Sequence, residues 1–137
     1  MGAEKAFENR VKSFLESEGI YPAGCPLYKI NVPVWGWYFK VWGGGFQKSG
    51  IPDLICNVNG YFMAVELKSE HGIASELQKK NLKMINLSMG FGIILYPSGF
   101  ERFKNLILGV KNCSFHIQEL SALELVDVSS KCIILKK

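Results

Sequence analysis

A chain of 137 residues, 48% hydrophobic and with a formal net charge of +4, has the size and apolar content of one domain with its own core. No apolar run approaches the ~20 residues that a membrane-spanning helix needs, and the charge is too mild to argue for a polyanion partner by itself. Four scattered cysteines, Cys25, Cys56, Cys113 and Cys132, form no C-x-x-C pair, which speaks against a zinc ribbon and for reduced thiols.

Glu4, Glu8 and Arg10 stand where a signal peptide would need an apolar stretch, so a soluble, intracellular protein is expected. Phe7, Val11, Phe14 and Leu15 recur at helical spacing and predict a helix over 3–18, stopped by Gly19. Residues 21–26, with two prolines, read as a loop. The aromatic and β-branched stretch 27–42 reads as one long or two short strands broken near Pro33 or Gly36, and Gly43-Gly44-Gly45 as a flexible turn. Residues 53–58 and 61–68 read as two strands joined by Asn59-Gly60, a strong hairpin signal.

Ser75 and Gln78 have the spacing of a capping box, opening a helix whose Leu77, Leu82, Ile85 and Leu87 or Met89 would face the core and which Gly90 ends. The apolar run 91–96 reads as a strand buried on both faces, as a parallel crossover from the hairpin would leave it. Ser98 and Glu101 suggest a second capping box and a helix to about Leu108. The tail from Cys113 to Leu135 offers two or three short strands or a strand–helix–strand. The expected whole is a single α/β domain over 1–137, with a core at about 3–110 and a C-terminal extension at about 111–137.

Within this order one charged set stands out. Strand side chains alternate faces, so Glu66 and Lys68 point the same way. The two-residue turn pairs 59 with 60 and hence 53 with 66, which makes Asp53 and Glu66 neighbours across the ladder. Facing carboxylates repel, and a cation between them relieves that cost. Two carboxylates, the backbone carbonyl of Leu67 and waters form a suitable set for Mg²⁺. Such a metal polarises a phosphoryl oxygen and acidifies its water, while Lys68 beside it stabilises transition-state charge. A bare Glu-x-Lys is more often a salt-bridged strand end on a solvated face. Here the unbroken apolar run Tyr61-Phe62-Met63-Ala64-Val65, the facing Asp53 and the preceding Pro52 weigh for a site.

Gly50-Ile51-Pro52-Asp53-Leu54-Ile55, the Asn59-Gly60 turn, Ala64-Val65-Glu66-Leu67-Lys68, Ser75-x-x-Gln78 and Gly90-Phe91-Gly92 together resemble the VRR-NUC family of the PD-(D/E)XK nuclease superfamily, whose small phage members are about this size. The resemblance covers about residues 3–96. It implies a restriction-endonuclease-like αβββαβ core, with a mixed central sheet flanked by helices, plus the C-terminal extension. It implies Asp53 and Glu66 as metal-binding acids for Mg²⁺ or Mn²⁺, and Lys68 as the catalytic lysine. Gln78 matches a motif glutamine that touches metal-bound water or the lysine; the reciprocal cap with Ser75 is an equal and compatible reading. Glu8 matches a first-helix glutamate that joins the metal in related Holliday-junction resolvases, sometimes through water. Glu4 and a plain exposed glutamate are the alternatives.

The implied activity is metal-dependent endonuclease cleavage of branched or structured DNA such as a Holliday junction, by a homodimer, in the cytoplasm of a bacterial cell or phage-infected host. Lys40, Lys48, Lys79, Lys80 and Lys83 are candidate phosphate contacts, with Lys79 and Lys83 on one helix face; for any one of them a solvated face is the plainer reading. Trp35, Trp37, Tyr38, Phe39 and Trp42 could stack on unpaired bases, but core or dimer packing accounts for them more simply. His71 reads as a surface residue. Two rival functions remain open, a non-catalytic DNA-binding or assembly module and a restriction or repair subunit that needs a partner.

Overall fold

A computed structural model describes residues 2–42, 49–112, 126–127 and 132–136. Among these residues three α-helices flank one mixed sheet. The helices are α1 (Ala3–Ser17), α2 (Glu76–Leu87) and α3 (Phe100–Lys111). The strands are β1 (Ile20–Pro22), β2 (Gly36–Lys40), β3 (Leu54–Val58), β4 (Tyr61–Leu67), β5 (Phe91–Leu95), β6 (Val126–Asp127) and β7 (Cys132–Leu135), in the spatial order β1-β2-β3-β4-β5-β7-β6. The β2–β3–β4 run is antiparallel, whereas β4, β5 and β7 are parallel. Crossovers through α2 and beyond make that parallel half possible, and β5 is buried on both faces as expected.

The hairpin register is the expected one: Leu54 pairs with Val65 and Val58 with Tyr61. Asn59 (φ 50°) and Gly60 (φ 88°) both take positive φ, as a two-residue turn matching the strand twist requires. Alternation then sorts the strand residues. Met63, Val65 and Leu67 join Phe7, Val11 and Leu15 of α1 and Phe103, Leu106 and Ile107 of α3 in the main core. Ile94, on the opposite face, packs with Leu82 of α2, Ala74 and Tyr96 in a smaller core. Gly92 permits that second layer, because a Cβ there would stand 2.5 Å from the Leu82 carbonyl oxygen.

Several expectations need correction. Residues 20–22 are a strand rather than a loop. The stretch 27–42 begins with a single helical turn (Leu27–Lys29) and becomes a strand only at Gly36. In α2 only Leu82 is buried, while Leu77, Leu87 and Met89 are exposed, since one narrow stripe of the helix meets the sheet. The second capping box does not form. Ser98 donates instead to Glu70, and α3 starts at Phe100 after a turn at Pro97–Gly99. The aromatic stretch splits by alternation: Tyr38 is buried in the main core, Trp37 and Phe39 touch on the other face, and Trp42 is exposed. No helix among the described residues is long and apolar enough to cross a membrane.

Candidate functional site

The β3–β4 ladder ends at Leu54–Val65, and the next N–H on β4 would have no strand partner. Asp53 fills that place with its side chain: the Leu67 N–H donates to Asp53 Oδ2 at 2.8 Å. A strand residue presents its N–H and C=O to the same side, so the Leu67 carbonyl also faces Asp53. The main chain of Asp53 is held in turn by β2's end, where the Val41 N–H donates to its carbonyl at 2.8 Å.

The segment before Asp53 is fixed by close approach to α2. Asn81 Nδ2 donates to the Gly50 carbonyl at 2.8 Å. Gly50 has φ 80°, and a Cβ on it would stand 2.7 Å from the Leu77 side chain. Only glycine combines that backbone with that contact. Gly50 therefore sets the path of the chain into Asp53.

Glu66 lies on the α2 face of the sheet and is 3% exposed. Its Oε1 accepts from Gln78 Nε2 at 3.1 Å and lies 3.7 Å from Lys68 Nζ. Its Oε2 is buried and has no hydrogen-bond partner among the described residues. Burial, and next the negative charge of Asp53, push the Glu66 carboxyl well above the ordinary carboxylate range; Lys68 only partly offsets them. A buried carboxylate oxygen without a donor is costly and calls for a positive partner.

Gln78 makes the expected cap with Ser75 and also reaches the site, at Glu66. Its backbone N–H donates to Ser75 Oγ at 3.1 Å, its side-chain oxygen accepts from the Ser75 N–H at 2.8 Å, and its side-chain nitrogen reaches Glu66. The capping box thus fixes the rotamer that holds the acid. Its target is the carboxylate rather than the lysine.

Glu8 is not brought to this cluster, which corrects the expectation that it joins a metal site there. It is 5% exposed, yet its Oε2 accepts from Lys5 at 2.7 Å and pairs with Lys12 at 3.0 Å, while Oε1 pairs with Lys40. Burial alone would raise its carboxyl; Lys40, Lys5 and Lys12 together overcome burial and hold it at about 2. Lys5 and Lys12 stand outside the expected set, although their i−3 and i+4 spacing from Glu8 carries the signal. Glu4 is exposed and unconnected to Asp53 or Glu66.

Of the expected phosphate contacts, Lys40 belongs to the Glu8 cluster, Lys79 pairs with Glu76 at 3.4 Å, Lys83 is exposed, and Lys48 lies outside the described residues, as do Gly43 to Gly45. His71 is exposed. Among the described residues no three His, Cys, Asp or Glu side chains converge, so the side-chain acids of the site are Asp53 and Glu66 alone.

The donor set fits a hard divalent cation: two carboxylates, one with an unpartnered buried oxygen, and a carbonyl on the same side. No protein-family model, curated protein or solved structure is matched by this chain.

Proposed function

We propose that the chain is a divalent-metal-dependent DNA endonuclease of the PD-(D/E)XK type, resembling the VRR-NUC family. The observation that carries this reading is the buried, unpartnered Glu66 Oε2 beside Asp53, with Lys68 Nζ at 3.7 Å from the same carboxylate. The order α1-β1-β2-β3-β4-α2-β5, in which β2 to β5 are neighbouring strands, supports a restriction-endonuclease-like core with the short β1 added at its edge.

Asp53 and Glu66 would hold Mg²⁺ or Mn²⁺, with the Leu67 carbonyl as a main-chain ligand. When bound, the ion supplies a Lewis acid for a phosphodiester and acidifies a water. The chain's own residues do the positioning. The Leu67 N–H orients Asp53, and Gln78 orients Glu66. Lys68 brings an ammonium to the edge of the pair, where negative charge grows on a phosphoryl group under attack. Branched or structured DNA as substrate, and a homodimer that cuts two strands symmetrically, belong to the same proposal.

The test is nicking of supercoiled plasmid, and cleavage of linear, flap and four-way-junction DNA, with Mg²⁺ and Mn²⁺. Activity is expected in the native chain, with none in EDTA and none in Lys68→Ala. Undiminished cutting in EDTA, or full activity in purified Lys68→Ala, overturns the reading.

A further inference from the structure

The face of α1 that carries Glu8 forms a second charged centre at the same end of the sheet. Lys5, Glu8 and Lys12 follow one another at helical spacing, and Lys40 joins them from the last position of β2. One carboxylate cannot neutralise three ammoniums, so the cluster keeps an excess of about two positive charges. Each ammonium has three N–H donors and spends about one on Glu8, so most donors remain for a ligand. The buried carboxylate fixes where they stand.

Trp42 lies over this cluster. It is 71% exposed, and Lys5 Nζ and Lys40 Nζ stand 5.6 and 5.5 Å from its ring centroid. Exposing so large an apolar ring costs solvation free energy unless a flat partner covers it. Next to it is a hollow of about 290 Å³, lined by Lys12, Tyr38, Phe39, Lys40 and Trp42 among others. That is at the small end of ligand sites, the scale of one nucleotide unit rather than a duplex.

Its place along the chain links it to the carboxylates. Lys40 pairs with Leu54, the Val41 N–H bonds the Asp53 carbonyl, and Trp42 is the next residue. A polynucleotide passing over this end of the sheet meets both centres.

We propose that Trp42 with Lys5, Lys12 and Lys40 holds an unpaired nucleotide of a DNA strand, the base stacked on Trp42 and the flanking phosphates on the lysines. A base inside a duplex has no free face for such a ring, so the site selects single-stranded segments. Stacking on an aromatic beside a basic track is the general solution for single strands. This rests on the nucleic-acid reading above and narrows its substrate to DNA with an unpaired stretch next to the cut.

The test is fluorescence anisotropy with a labelled oligo-dT and a hairpin duplex of equal charge, in EDTA so that cleavage is off. Trp42→Ala is expected to weaken oligo-dT binding about tenfold and duplex binding less than about twofold, with Trp42→Phe restoring most of the loss. Lys12→Gln is expected to weaken both and to lower the slope of log affinity against log salt by about one. Oligo-dT is expected to quench tryptophan emission in the native chain and much less in Trp42→Phe. An unchanged oligo-dT affinity in Trp42→Ala, or an equal loss for both ligands, overturns the inference. A chain that binds oligo-dT through Trp42 but never nicks DNA keeps this inference and loses the nuclease reading. A chain that nicks DNA while Trp42→Ala binds normally loses only this inference.

Discussion

Glu66 and Glu8 are the same residue type at nearly the same burial, 3% and 5% exposed, and their carboxyls are driven in opposite directions. Burial pushes both upward. At Glu8 three lysines reverse the push. At Glu66 a second carboxylate reinforces it, and among the described residues one lysine stands 3.7 Å from one oxygen while the other oxygen has no donor. The difference lies in the company each carboxylate keeps, not in its depth. Glu8 already has more positive charge around it than it needs. Glu66 is short of positive charge, as a metal-binding acid is before its ion arrives.

The largest effect that could break this contrast is on cleavage. Glu66→Gln keeps the shape of the side chain and removes its charge. Nicking is expected to fall by about two to three orders of magnitude, the scale of losing a group that stabilises the transition state. Thermal unfolding in EDTA should show stability unchanged or raised by about 1 kcal/mol, because the cost of burying an ionisable carboxyl has gone. A variant that nicks normally, or that is strongly destabilised, would make Glu66 a structural ion-pair member. Glu8→Gln should do the reverse to stability. It leaves three ammoniums around a neutral amide, and a loss of about 1–3 kcal/mol in urea unfolding is expected, reduced from the fully buried case because the lysines are partly solvated.

The two centres were not equally legible in the sequence. The Asp53–Glu66 pairing follows from a two-residue turn and strand alternation, both local rules, and the register is as those rules require. The Gln78 cap is also local. Glu8 depends on how α1 sits against the end of β2, and no local rule gives that angle. Its partner Lys40 is 32 residues away, so the pairing that holds Glu8 apart from Asp53 and Glu66 was invisible. The same blindness covers α2, where spacing offered several apolar residues and packing against Gly92 buried only Leu82. Ser98 matched a capping pattern, but Glu70, 28 residues before it, took its donors.

Divalent ions offer a smaller, direct readout of the same contrast. Binding to the folded state alone raises stability by RT ln(1 + [L]/Kd), about 2.7 kcal/mol at a hundredfold excess over Kd. Mn²⁺ or Mg²⁺ should therefore raise the melting temperature of the native chain by several degrees and leave Glu66→Gln where it was. An equal rise in both would place the ion elsewhere.

The smallest effect is on pH dependence, and its sign separates the two acids. Glu8 has a depressed carboxyl, so its contribution is complete above the unfolded value near 4.5 and disappears as the pH falls toward about 2. The difference in stability between native and Glu8→Gln chains should shrink across that window, by about 2 kcal/mol after allowing for solvent screening of the lysines. Glu66 has a raised carboxyl, so the folded state holds its proton more tightly than the unfolded chain does. Without metal, the native chain should lose stability relative to Glu66→Gln as the pH rises above the ordinary carboxylate range. Melting curves of the three proteins in EDTA from about pH 2 upward, read as differences from native, should therefore slope in opposite directions. Parallel slopes would mean that the two carboxylates feel the same field, and the distinction between a cation-rich and a cation-deficient carboxylate would fail.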